Sequence, residues 1–131
     1  MKYTEFKSPY FLKVYNLDLK SKPFELLEEI GYTTRSGWAI VVPAGYRTDF
    51  ASIPRFFHRL INPVGRHGKA AIIHDWLCDE KKHSCDSVEA ADIFGEAMQA
   101  LGVSSARRKI MVLAVKIGGP KFKKSTPIKI V

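Results

Sequence analysis

The chain has 131 residues, 46% of them hydrophobic and 11% aromatic, and a formal net charge of +8. That is one domain's length, able to bury about two-thirds of its unfolded surface without staples. Two cysteines seven residues apart, Cys78 and Cys85, exclude a disulfide scaffold and a C-x-x-C zinc or redox motif, and the apolar content excludes a wholly disordered chain.

The first half reads as strands and turns. Tyr10 to Tyr15 carries aromatic and β-branched residues and predicts a first strand. Phe24 to Thr34 is ambiguous between helix and strand, with Gly31 and Tyr32-Thr33-Thr34 pulling its end toward strand. Ser36-Gly37 marks a turn, Trp38 to Val42 the clearest strand, Ala44-Gly45 a second turn and Tyr46-Arg47-Thr48 a short continuation. A small antiparallel β-meander is the economical assembly.

The second half reads as helices. Ser52 before Ile53-Pro54 is placed to cap a short helix running to Ile61, which Asn62-Pro63-Val64-Gly65 breaks. Lys69 to about Lys81 follows, with Ala70, Ile73 and Leu77 at helical spacing. Asp86 or Ser87 can cap the next helix, Asp86 with Glu89 fitting a capping box; that helix buries Ala91, Phe94, Met98 and Leu101 and stops at Gly102. Ser104 or Ser105 caps a last helix through Ile117, which Gly118-Gly119-Pro120 ends. The fold class expected is α+β: the meander packed against three to four helices as one globular domain over residues 1–120, with a short basic tail over 121–131.

Charge is unevenly placed. Residues 102–131 hold eight basic and no acidic side chains, so the whole net charge lies there. Arg107, Arg108, Lys109, Lys121, Lys123 and Lys124 therefore point to an anionic neighbour: nucleic acid, a phospholipid head group or an acidic protein face. A solvated basic end is the plain alternative. Met1 to Pro9 holds no apolar signal segment. The longest apolar run, Ile110 to Val115, falls far short of the roughly twenty residues that cross a bilayer. No transmembrane segment is expected, and synthesis in the cytoplasm is.

Chemistry-bearing residues gather in two signatures, Thr48-Asp49-Phe50-Ala51-Ser52-Ile53-Pro54 and His74-Asp75-Trp76-Leu77. Neighbours on a helix diverge by about 100°, so His74 and Asp75 cannot both face one small target. His74 could act as general base, with Asp75 or Asp92 as an orienting carboxylate or metal ligand. Asp49 is a second candidate ligand, and Ser52 a hydrogen-bond donor or a nucleophile if His74 lies within reach. Oxygen-rich ligation by Asp49 and Asp92 with His74 would suit a divalent ion. Arg47, Arg55 and Arg66 could bind an anionic substrate or neutralise buried acids. The structural alternative gives Asp49 and Ser52 to turn and cap chemistry and makes His74 a bonded core histidine.

On these residues the chain resembles the small phage and prophage proteins grouped as domain of unknown function 1353. The likeness runs from Val42 through Arg55, then Gly65 to Ala71, His74 to Leu77, Ala91 to Phe94, Ala97-Met98 and Leu101 to Val103. Cys78 stands where an aromatic residue is expected. The resemblance implies a phage or prophage origin and supplies no activity. Two expectations follow. One is a hydrolase-like, metal-assisted site acting on cell-wall or lipid substrates during entry or lysis. The other is a non-catalytic virion or assembly component among other phage proteins, made in the host cytoplasm, with a bracing polar cluster and a basic end that docks on an acidic partner or DNA.

Overall fold

The computed structural model describes residues 12–14, 24–50, 52–54, 66–80 and 84–125. Five strands, β1 (Leu12–Val14), β2 (Phe24–Leu26), β3 (Ile30–Thr33), β4 (Ala39–Val42) and β5 (Arg47–Thr48), precede three helices, α1 (Arg66–Asp79), α2 (Ser87–Ala100) and α3 (Ser105–Gly118). The α+β expectation holds. The ambiguous stretch from Phe24 to Thr34 is two strands, because burial alternates along each and brings Phe24, Leu26, Ile30 and Tyr32 inward. The strands are antiparallel as expected, but they pair as two small sheets. β3 and β4 form a hairpin with Ile30 opposite Val42. β5 turns back to β2, with Phe24 opposite Thr48, giving the order β1-β2-β5. Gly45, at φ 90°, makes the return possible: its N–H donates to the Leu26 carbonyl at 2.7 Å. The short helix expected from Pro54 to Ile61 lies, beyond Pro54, outside the described residues.

Helix ends follow their caps. Asp86 accepts from the Glu89 N–H at 2.8 Å and Ser104 from the Arg107 N–H, each satisfying a donor that the first helical turn leaves open. Gly102, at φ 81°, closes α2 as expected. Helix α1 is different in kind. Gly68 to Asp75 is buried without interruption, so this helix has no solvent face along that span. It is the central element, packed on the β3–β4 hairpin on one side and α2 on the other, while α3 packs chiefly on α2 as an outer layer. The core joins Leu26, Tyr32 and Val42 from the strands to Ile72, Ile73, Leu77, Phe94, Met98 and Met111 from the helices.

The segment after α3 turns back onto the domain. Phe122 packs against the core, and its carbonyl accepts the Ser87 N–H at 2.9 Å. The end of α3 meets the Ser52 loop closely. A Cβ on Gly119 would lie 2.5 Å from the Val115 carbonyl oxygen and 3.0 Å from that of Ser52. Both obstacles are backbone, so Gly119→Ala is expected to lower stability by about 2 kcal/mol through overpacking, read as a fall in the urea midpoint. An unchanged midpoint would show that this junction carries no strain.

Candidate functional site

The two signatures meet. Burial of Thr48 at the end of β5 aims its hydroxyl inward, where it donates to Asp75 Oδ2 on α1 and accepts the Phe50 N–H at 3.0 Å. That local turn holds Phe50 at φ 59°, a left-handed conformation uncommon for a bulky residue. The Phe50 ring compensates by packing on Phe24 with centroids 5.2 Å apart, and the Phe50 carbonyl accepts the Ile53 N–H at 3.0 Å. The turn delivers Ser52 to α1: Ser52 Oγ and His74 Nδ1 stand 3.0 Å apart, both buried.

His74 and Asp75 look in different directions, as helical geometry requires. The His74 ring lies against Phe94 of α2, with centroids 5.2 Å apart. Cys78, one turn on, places its Sγ 3.9 Å from Nδ1 and 3.8 Å from Nε2. Asp75 reaches Thr48 instead, and its Oδ1 has no hydrogen-bond partner among the described residues. The two signature residues therefore form two separate contacts with one loop, Ser52–His74 and Thr48–Asp75, rather than one relay.

Burial sets the charge state of every member. Desolvation holds the His74 imidazole down at about 4, so it is neutral near pH 7. Desolvation pushes the Asp75 carboxyl up to about 8; the neighbouring Asp79 and Asp49 charges add to this, and the Thr48 hydroxyl and Ser52 backbone N–H oppose it. The Cys78 thiol is pushed up to about 12, again chiefly by burial. The cluster is neutral imidazole, neutral carboxyl and neutral thiol. An imidazole this weakly basic is a poor general base, since proton abstraction works best with a pKa near the working pH. A thiol this high is a poor nucleophile. Cys78 and Cys85 are both free thiols.

The expected metal set does not assemble. Asp92 lies two residues before Phe94 on α2, about 200° round the helix. With Phe94 facing His74, Asp92 faces α3 and pairs with Lys116 at 2.9 Å. Asp49 is half-buried near Asp75. Among the described residues, no three His, Cys, Asp or Glu side chains could share an ion. Of the expected anion-binding arginines, Arg47 is exposed on β5 opposite Glu25. Arg55 and the side chain of Arg66 lie outside the described residues.

Sequence reasoning missed three supporting groups. Thr48 is the Asp75 partner just described. Tyr46 donates to Asp79 Oδ2 at 2.6 Å and sets its ring edge-on to Trp76 at 5.3 Å. Lys69 is buried on α1, and burial lowers its pKa. The inward register of β5 was the available signal for Thr48, whereas helical spacing does place Cys78 on the face of His74. Among the basic residues, Arg107, Lys109, Lys121, Lys123 and Lys124 are exposed. Arg108 is half-buried and donates to the Val103 carbonyl at 2.8 Å.

Residues 24–115 match the family described as "Protein of unknown function (DUF1353)". Two similar relatives are uncharacterized proteins of Sinorhizobium fredii (strain NBRC 101917 / NGR234). The protein y4jT is 32% identical over 115 residues, covering 86% of this chain and 34% of the relative. The protein y4iH is 30% identical over 99 residues, covering 74% of this chain and 41% of the relative. The chain thus spans less than half the length of these relatives. No solved structure matches it.

Proposed function

This chain belongs to the DUF1353 family, and on that premise we propose that it is a non-catalytic docking module whose Ser/His and Thr/Asp pairs brace the sheet-to-helix junction. One observation carries the reading: His74 and Asp75 are buried and spent on holding one loop against α1, and that burial favours their uncharged forms. Its working surface is then the basic C-terminal part, where Arg107, Lys109, Lys121, Lys123 and Lys124 are exposed. The setting proposed is a phage or prophage particle or its assembly, which the family resemblance suggests. Absence of the protein from purified particles would count against that setting.

A hydrolase-like reading has one observation in its favour, the 3.0 Å approach of Ser52 Oγ to His74 Nδ1. The two readings part on reactivity. The full chain incubated with a fluorophosphonate is expected to keep its intact mass, because Ser52 is buried and its base is weak. An adduct on Ser52, lost in Ser52→Ala, would overturn the docking reading and establish an activated serine.

A further inference from the structure

We infer that the outer face of α3 docks on an anionic lipid surface, a deepening of the docking-module reading on which it rests. Helix α3 turns Met111 and Val115 into the core and shows three large aliphatic side chains to solvent: Ile110 at 54%, Leu113 at 57% and Ile117 at 72% exposure. With Ala106 they fall at helical positions i, i+4, i+7 and i+11, one stripe about 16 Å long. Scattered single aliphatics need no explanation, but an aligned set on one helix does.

Charge selects the occupant. By helical angle, Arg107 stands on one side of the stripe and Lys109 on the other, where Lys116 is already paired with Asp92. Lys121 reaches back to the carbonyls of Lys116 and Ile117, placing its cation at the helix's C-terminal end. Lys123 and Lys124 follow, exposed. No acidic residue occurs after Glu96. The complementary surface is therefore apolar along a line and anionic around it. A duplex offers phosphates but nothing for three aliphatic side chains. A second copy would bring the same cations against these, so self-docking is opposed by like charge. An interfacial bilayer supplies both properties at once, with acyl chains beneath the stripe and anionic head groups at its margins. The outer position of α3, packed chiefly on α2, lets it meet a flat surface. At 14 residues it would lie on a membrane rather than cross it, and no described helix is long and apolar enough to span one.

The test is co-sedimentation of the full chain with vesicles of phosphatidylcholine alone or mixed with phosphatidylglycerol. Pelleting is expected with the mixed vesicles only, weakening as salt is added. The triple variant I110S/L113S/I117S is expected to lose about tenfold in partitioning at an unchanged melting temperature. Arg107→Gln with Lys109→Gln should weaken binding as well. Failure to bind anionic vesicles overturns the inference and leaves the stripe to an acidic protein face. Binding undiminished in the triple variant also overturns it, because attraction would then be charge alone. Either failure is separable from the fluorophosphonate result, which reads Ser52 and not α3.

Discussion

His74→Ala is expected to lower the unfolding free energy by about 3–4 kcal/mol, a large share of what a domain this size holds in reserve. Two costs add. The imidazole is 3% exposed and packed on Phe94 and Cys78, so its removal leaves a cavity in a region with no solvent face. It also takes from Ser52 Oγ its 3.0 Å partner Nδ1 and leaves that buried hydroxyl only the weaker Cys78 thiol; a buried polar group that loses its partner costs about 1–3 kcal/mol. Ser52→Ala makes no comparable cavity but leaves the buried Nδ1 only its 3.9 Å contact with the Cys78 thiol, and is expected to cost about 1–2 kcal/mol. Urea unfolding of both single variants and the double variant closes a cycle. The double variant should be less destabilised than the sum by about 1 kcal/mol, because the second substitution removes a group already stranded. Full additivity would show that the 3.0 Å contact carries no energy and that the two residues merely sit close.

The parts of this architecture set by local chemistry were readable in the sequence. Asp86 or Ser87 and Ser104 or Ser105 mark two helix starts to within a residue, and Asp86 and Ser104 are the ones whose side chains bond the N–H groups three residues on. Gly102 ends α2 for an equally local reason, a left-handed backbone. Sheet pairing was not readable. β2 and β5 are three and two residues long, and which short strand joins which is decided by turns and burial far apart in the chain. The burial of α1 was visible only in part. Ala70, Ile73 and Leu77 gave the stripe, but Gly68 to Asp75 is buried without a break, and polar letters such as Lys69, His74 and Asp75 hide that.

The site shows the same division. That His74 and Asp75 must diverge follows from helical geometry alone, and they do. Where each would find its partner does not follow, because Thr48 and Ser52 look alike as turn residues until the loop is folded against α1. Asp92 was placed wrongly for a related reason. Its helix does pack on α1, but Phe94 took the facing position, and 200° of helical rotation sent Asp92 to Lys116. The shared desolvation of His74, Asp75 and Cys78 is a property of the packed core, and composition gives no hint of it.

That shared desolvation predicts an unusual stability profile. The usual His value is 6.5, and the folded His74 value is about 4. Between these the unfolded chain binds a proton that the native state refuses, so this contribution is lost as pH falls from 6.5 toward 4. Asp75 runs the other way. Its usual value is 3.8 and its folded value about 8. The native state keeps a proton that the unfolded chain releases, so this contribution is present below 3.8 and lost as pH rises toward 8. Each slope is about 1.4 kcal/mol per pH unit, and the signs oppose. From about pH 4 to 6.5 the two contributions cancel; above 6.5 only Asp75 still titrates, and stability is expected to fall by about 2 kcal/mol by pH 8. Asp75→Asn should remove that fall and uncover the His74 slope, making stability rise with pH between about 4 and 6.5. His74→Gln should do the reverse, starting the decline near pH 4. Urea unfolding at a series of pH values measures all three. An Asp75→Asn variant that still loses stability between pH 6.5 and 8 would assign the decline to another group, and a parent protein equally stable at those two values would mean that the buried carboxyl is ionised in the native state. It would then be a charge held in the core, and the neutral brace would be the wrong description of the junction.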